Sequence, residues 1–445
     1  MSGVDDTIVS DFIQVTESSE GVLKSISFSN EERFNFAYDI VDKIAADTPD
    51  KHALIHISET SGERIYTFGD IKKHSNRIAN YLSFLGIGKG DRVMLVLKKH
   101  YQFWFAIIAL HKLGAIVIPA TNQLVEHDFE YRFNAAGVKA IICTAEGDTA
   151  RQAEMAAKDA PSLELKLIVN GEREGWHNFN EEYLMYSTHY SRPEDAACGE
   201  DIMLMYFTSG TSGEPKMVAH DFLYAMGHLT TGVFWHNLHP GSLHLTVADT
   251  GWGKAVWGKF YGQWFAGATV FVFDHEKFNA DTLLRQMEKY RVTSFCAPPT
   301  IYRFMIREDL SRYDLSALRY CCTAGEALNP AVYDKFLEQT GIRLMEGFGQ
   351  TETTMTLGTM PWMEPKPGSM GKPNGQYQID LLKPDGTPCE DGEKGEIVIV
   401  APFGPQTGDT ASTNANAPRR GAKGGCPIGL FKEYYRDPEL TLQAW

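Results

Sequence analysis

The chain has 445 residues, 43% of them hydrophobic and 22% charged, a balance that suits a globular protein large enough for several cores. Its net charge of −15 argues against a nucleic-acid backbone as partner and leaves any anionic ligand to be held by local donors. Seven cysteines, an odd number without a C-x-x-C pair, speak for reduced thiols in a cytoplasmic protein and against a zinc site or a disulfide framework.

The opening MSGVDDTIVSDF is acidic and lacks a basic stretch followed by an apolar one, so it does not read as a signal peptide. Thr67 to Asp70 precede a predicted helix whose apolar positions Ile71, Ile78, Leu82 and Leu85 share a face, with Thr67 as its N-cap. Gly86 to Gly90 (GIGKG) follow that helix and precede a strand, the reverse of a dinucleotide loop, and read as a helix C-terminal turn. Strands are predicted at Arg92 to Leu97, Ala115 to Pro119 and Ala140 to Thr144, with helices over Tyr101 to Leu113 and near 126–136. The longest apolar run, Phe103 to Leu110, is far too short to insert across a membrane and meets His111 and Lys112 at once.

Ile202 to Phe207 is apolar and reads as a buried strand, and the loop that leaves it is the most informative stretch of the chain. Thr208 to Lys216 (TSGTSGEPK) carries four hydroxyls (Thr208, Ser209, Thr211, Ser212), two glycines (Gly210, Gly213) and one lysine. Glycines let a backbone turn its N–H groups toward an anion, hydroxyls add donors, and Lys216 adds a point charge: this is the composition of a loop that wraps a polyphosphate. The spacing of Gly210, Gly213 and Lys216 does not fit G-x-x-x-x-G-K-[ST]. No G-x-S-x-G elbow exists, so Ser209 and Ser212 are not nucleophiles, and His275-Glu276 lacks the second histidine of a zincin helix.

Beyond the loop, strands are predicted at Leu243 to Ala248, Ala268 to Phe273, Ser294 to Ala297, Leu318 to Thr323 and Arg343 to Glu346, with helices between. Such alternation predicts mostly parallel sheets covered on both faces. Past about residue 355 Gly and Pro become frequent, and Gln378 to Leu382 and Glu396 to Val400 read as strands of a small β subdomain. Residues 404–425 read as a long mobile loop. The chain thus divides into a first α/β subdomain at 1–200, a second at 201–354, and a small β-barrel-like subdomain at 355–445.

YFTSGTSGEPKM (206–217) resembles the phosphate loop of the adenylate-forming superfamily, which includes acyl-CoA synthetases, luciferases and amino-acid-activating domains. Glu346 to Thr353 (EGFGQTET) resembles that family's second nucleotide motif, and Thr323 to Leu328 (TAGEAL) its adenine-side loop. The resemblance runs from near Phe34 to Trp445 and implies an α/β fold of two mostly parallel sheets, the large N-terminal lobe of these enzymes. It implies that Thr208 to Lys216 (with Glu214 and Pro215) bind the ATP phosphates and that Gly325, Glu326 and Ala327 line adenine. Phe348 would stack on that ring, and Glu346, Gly347, Gly349 and Gln350 would complete the ATP/AMP site. Thr351 would bond the α-phosphate or the substrate carboxylate, and Glu352 would ligate Mg²⁺. Lys216, Thr351 and Glu352 are thereby the expected catalytic residues.

The implied reaction is ATP-dependent activation of a carboxylic acid, then transfer to CoA. Asp249 to Ala255 (DTGWGKA) and Met360 to Pro373 resemble medium-chain acyl-CoA synthetases, which points to a medium-chain or branched acid and to fatty-acid metabolism. Acetate-activating members carry tryptophan just before QTET, where this chain has Gly349; the expectation is an acyl site opened there, lined by Trp252, Gly347, Gly349 and Thr351. Gln123 is expected near CoA. The expected partners are small molecules only, with a homodimer left open. An amino-acid-adenylating domain, with Asp249 pairing the substrate ammonium, and a non-catalytic nucleotide-binding lobe are the alternatives. Thr407-Gly408-Asp409 imitates the family's ribose-binding T-G-D, but precedes Tyr434 to Glu439 (YYRDPE), predicted as a helix that T-G-D normally follows, and so reads as loop; Pro438 to Trp445 also reads as helix. The ribose aspartate and the adenylation lysine are expected in a further lobe beyond Trp445, without which activity would be impaired.

Overall fold

The computed structural model describes residues 9–209, 213–400 and 427–445. The whole of the loop expected at 404–425, with Thr407 to Asp409, and Gly210, Thr211 and Ser212 of the phosphate loop lie outside the described residues.

Two large sheets organise the molecule. The first runs, edge to edge, through Glu433–Tyr434, Lys216–Asp221, Ile202–Thr208, Ile116–Pro119, Arg92–Val96, Ala140–Thr144, Leu165–Val169 and His177–Asn178. It is parallel except at the end carrying the phosphate loop, where Ile202–Thr208, Lys216–Asp221 and Glu433–Tyr434 pair antiparallel. The second runs through Lys372–Pro373, Leu357–Gly358, Leu344–Phe348, Tyr320–Ala324, Ser294–Ala297, Leu243–Thr246, Thr269–Asp274, His52–Ser58 and Gly62–Thr67, antiparallel only toward its two edges.

The sheets do not follow the divisions at 200 and 354. His52–Ser58 pairs with the distant Thr269–Asp274 and carries Gly62–Thr67 with it, and Ile202–Thr208 belongs with Ile116–Pro119. Among the described residues of 355–445, one antiparallel pair, Ile379–Leu382 with Glu396–Ile399, stands apart from the large sheets. The rest supplies edge strands to both.

The helices follow local chemistry. Thr67 caps Phe68–Phe84 as expected: its hydroxyl accepts from Asp70 N while Asp70 accepts from Thr67 N, a reciprocal capping box. Gly86, at φ +88°, closes that helix as the turn its sequence announced. Gln102–Leu113 is buried at every position, which explains an apolar run with no polar stripe. The largest core joins both sheets through this helix, Phe68–Phe84, Leu223–Leu229 and the aromatic-rich Tyr261–Phe265.

Candidate active site

The phosphate loop is the tip of a hairpin. Thr208 is the last residue of its strand and pairs with Lys216, the first residue of the returning strand, so the loop between them is held at both ends by the sheet. Ser209, Gly213 and Glu214 are exposed, as a loop that receives a ligand must be, and Gly213 takes φ +102°, which a side chain would resist. The Tyr131 hydroxyl donates to Pro215 O at 3.0 Å and ties the loop to the neighbouring helix Glu126–Ala136.

The second motif is brought against this hairpin by contacts distant in sequence. His220 Nε2, on the returning strand, donates to Thr351 O at 2.9 Å. Phe431 N donates to Glu352 O at 2.6 Å, Lys432 N to Ala219 O, and Tyr435 N to Met217 O. Residues 427–435 therefore thread between the hairpin and the turn Gln350 to Thr353. Within that turn Gln350 N donates to Thr353 Oγ1 and Thr353 N to Gln350 O, so the turn closes on itself. The carboxylate of Glu352 accepts from the Tyr434 hydroxyl at 2.9 Å, and the Lys216 ammonium lies 5.1 Å from the centre of the same tyrosine ring. Tyr434 sits on a short strand, not on the helix predicted from YYRDPE. The left-handed Arg436 (φ +62°) breaks the chain, and the helix starts at Pro438 with Asp437 as N-cap.

On the other side, strand Tyr320–Ala324 ends where Gly325 turns at φ +100°, and Gly325, Glu326 and Ala327 are exposed at the end of the second sheet. Phe348, half-buried at the end of the adjacent strand, is on the same strand end. Glu326 accepts from Thr300 Oγ1 at 2.9 Å, so its carboxylate is engaged with the neighbouring helix. Glu346 is buried, and one of its oxygens accepts from Leu328 N at 3.2 Å. Burial raises its pKa and outweighs that hydrogen bond. It holds the backbone just after the loop 325–327. Lys254 also braces this loop, with Nζ donating to Ala324 O at 2.6 Å; burial lowers its pKa.

The two pocket glycines have a reason that the sequence did not disclose. A Cβ on Gly347 would lie 2.5 Å from Trp235 Cζ2, and one on Gly349 would overlap the Trp257 indole, 2.8 Å from its Cζ2 and 2.5 Å from Thr354 O. The room expected at Gly349 is thus occupied: a tryptophan from helix Gly253–Gly258 fills it, and the wall at this point is an indole rather than an opening. Trp257 Nε1 donates to Tyr224 Oη at 3.2 Å, and His228, fully buried and lowered by burial to about 3, stands beside both rings. Trp252, the residue singled out from sequence, is 58% exposed at the N-terminus of that helix. Asp249 accepts from Gly251 N at 3.0 Å and closes its own turn. Gly251 packs so tightly on the backbone of Ala120 and Thr121 that a Cβ would lie 2.5 Å from Ala120 O, so exposed Gln123 belongs to the loop that abuts Asp249 to Trp252.

Lys216, Thr351, Glu352 and the loop Gly325 to Ala327 had signals in their motifs. Tyr434, His220, Trp235 and Trp257 did not, although a second tryptophan five residues after Trp252 was visible. Among the described residues no group of three or more His, Cys, Asp or Glu side chains is arranged to hold a metal ion. A single carboxylate with hydroxyls nearby is instead the donor set that suits Mg²⁺, which is usually held by one or two carboxylates together with substrate phosphates. Glu352 fits that description.

Comparison with known proteins bears on this arrangement. Residues 41–405 match the AMP-binding enzyme family. The human acyl-coenzyme A synthetase ACSM5, mitochondrial, is 36% identical over 376 residues, which cover 83% of this chain and 64% of that protein. Human ACSM3, mitochondrial, is 33% identical over 421 residues, 93% of this chain and 68% of that protein. The chain therefore spans roughly two thirds of the length of these relatives. Among solved structures, the anthranilate CoA ligase AuaEII in complex with anthranoyl-AMP superposes with a TM-score of 0.79 at 24% identity, over 93% of this chain and 73% of that one. A Brucella canis acyl-CoA synthetase gives 0.78 at 22% identity, over 92% and 70%. At these identities the two structures speak for the fold.

Proposed function

The chain belongs to the AMP-binding enzyme family, and from that premise we propose that it activates a carboxylic acid with ATP and passes the acyl group to CoA. In the first step a carboxylate oxygen attacks the α-phosphorus, the bond from that phosphorus to the bridging oxygen breaks, and pyrophosphate leaves with the electron pair. In the second the CoA thiolate attacks the acyl carbon and AMP leaves, giving acyl-CoA. A carboxylate resists direct attack by sulfur because it is already negative; the mixed anhydride removes that obstacle. Adenylation then requires mainly the positioning of two anions and the neutralisation of their charge.

The observation that carries this reading is the convergence of Lys216, at the hairpin tip, and Glu352, in the second motif, on one tyrosine. Lys216 and the exposed loop beside it hold the β- and γ-phosphates. Thr351, its carbonyl fixed by His220, presents its side chain to the α-phosphate or the acid. Glu352 would hold Mg²⁺, which supplies charge neutralisation at the phosphate oxygens. Phe348 and Gly325 to Ala327 receive the adenine. Gln123 lies in the loop proposed for CoA. We read the acid as medium-chain or branched on the resemblance of the 249–255 and 360–373 segments. A reducing, cytoplasmic setting is likewise our proposal, supported by six described cysteines that are all free thiols.

Acid-dependent exchange of labelled pyrophosphate into ATP tests the reading. A panel from acetate to decanoate, with free amino acids included, should give exchange with fatty acids and none with amino acids. Exchange driven by an amino acid and not by a fatty acid would overturn it.

A further inference from the structure

We propose that Tyr434 is a positioning residue that keeps the phosphate lysine and the metal-binding carboxylate apart and oriented before nucleotide arrives. The inference rests on the reading of Lys216 and Glu352 given above and goes beyond it. A lysine and a glutamate at the mouth of one site would, left to themselves, close into an ion pair, and that pair would have to open before phosphate and metal could enter. Tyr434 gives each a different, non-ionic partner. Its hydroxyl donates to Glu352 Oε1 at 2.9 Å, which fixes the carboxylate plane while leaving the charge intact and the other oxygen unspent on this bond. Its ring face attracts the Lys216 ammonium at 5.1 Å through the quadrupole, which uses none of the three N–H donors. Neither side chain forms an ion pair among the described residues.

The tyrosine is itself held firmly. It is buried, lies 4.8 Å from Phe431 between ring centres, and belongs to a strand paired with Val218 and Ala219 of the phosphate-loop hairpin. Phe431 N, three residues earlier, fixes the backbone of Glu352 through its carbonyl. The same short segment therefore sets both the main chain and the side chain of Glu352, and it is anchored to the strand that begins with Lys216. A ring buried merely to fill a core would need neither polar contact.

Two substitutions separate the roles. Tyr434→Phe keeps the ring, its packing on Phe431 and the lysine's seat, and removes only the hydroxyl. Tyr434→Leu removes both. ATP binding is measured by calorimetry without acid or CoA, once with Mg²⁺ varied and once in EDTA, beside thermal unfolding. Loss of a partner that orients a metal ligand typically lowers metal affinity about 10- to 100-fold. Tyr434→Phe should therefore raise the Mg²⁺ concentration needed for half-maximal tightening of ATP by about tenfold or more, and leave binding in EDTA unchanged. Tyr434→Leu should weaken binding in EDTA as well. In a Glu352→Gln background, Tyr434→Phe should add no further Mg²⁺ effect.

Wild-type Mg²⁺ dependence in Tyr434→Phe, or equal weakening with and without Mg²⁺, would overturn the inference and leave the nucleotide site standing. A wild-type chain that binds no ATP at all would overturn the proposed function itself, whatever Tyr434 does.

Discussion

Adding one methyl group at Gly349 tests the finding that a tryptophan, and not open space, faces this glycine. The new Cβ would overlap Trp257 Cη2 and lie 2.8 Å from Cζ2 and 2.5 Å from Thr354 O. Ordinary carbon contacts are about 3.5–4.0 Å, so the indole must retreat by roughly an ångström or more. It has little freedom to do so, because it is buried and its Nε1 donates to Tyr224 Oη at 3.2 Å. Overpacking of this kind costs about 1–3 kcal/mol, which is the predicted destabilisation of Gly349→Ala in urea unfolding. Trp257→Ala should cost about 3–5 kcal/mol on its own by leaving a cavity. The two changes should not add: the alanine methyl enters space the indole has left, and the double variant should be about 1–3 kcal/mol more stable than the sum predicts. Emptying that space should also shift the acid preference toward longer chains, at about 0.8 kcal/mol or roughly fourfold per buried methylene. A neutral Gly349→Ala, or strict additivity with Trp257→Ala, would refute the reasoning. Tryptophan at 349, as in acetate-activating members, cannot enter while Trp257 is present.

The same geometry sets other outcomes. Lys216→Ala should weaken ATP binding by about 1.5–3 kcal/mol through loss of a charge-assisted contact. Its unfolding free energy should fall only by about 0.5–1 kcal/mol, the worth of the Tyr434 contact; calorimetry and urea unfolding read the two separately. Lys259, fully buried with Nζ donating to Ala248 O at 2.7 Å, is pulled down to about 7 by burial and by Lys99, against the pull of Asp249 and Asp274. From pH 7 to its unfolded value of about 10.4 the folded chain holds fewer protons than the unfolded one, so stability rises with pH across that window. Lys259→Met should remove about 2 kcal/mol of the gain between pH 7 and pH 9, and equal urea midpoint shifts in both proteins would contradict this.

Much of the site was legible because its parts are local. Ile202 to Lys216 announces a strand, a glycine-rich anion loop and a lysine in one string, and the structure gives strand, hairpin tip and returning strand. Thr67 and Gly86 were legible for the same reason, since capping chemistry acts over three or four residues. What was hidden depends on pairings across long stretches of chain. Tyr434 meets Glu352 across 82 residues, and YYRDPE carries no local mark that its first tyrosine is strand, whereas the helix read from Pro438 onward is found at Pro438–Ala444. Gly349 was read from a side chain it lacks, whereas its constraint comes from Trp257 on a helix 92 positions earlier. The sheet to which His52–Ser58 belongs was hidden likewise: an alternating strand–helix pattern fixes the type of each element but not its neighbours.

Following the carboxylate oxygen tests the central claim most directly. The acid is supplied with both carboxyl oxygens as ¹⁸O, with ATP, Mg²⁺ and CoA, and the products are examined by mass spectrometry. Attack of the carboxylate on the α-phosphorus, followed by thiolysis at the acyl carbon, predicts one ¹⁸O in each AMP formed and none in pyrophosphate. Formation of ADP with ¹⁸O in inorganic phosphate, or AMP free of label, would contradict the account.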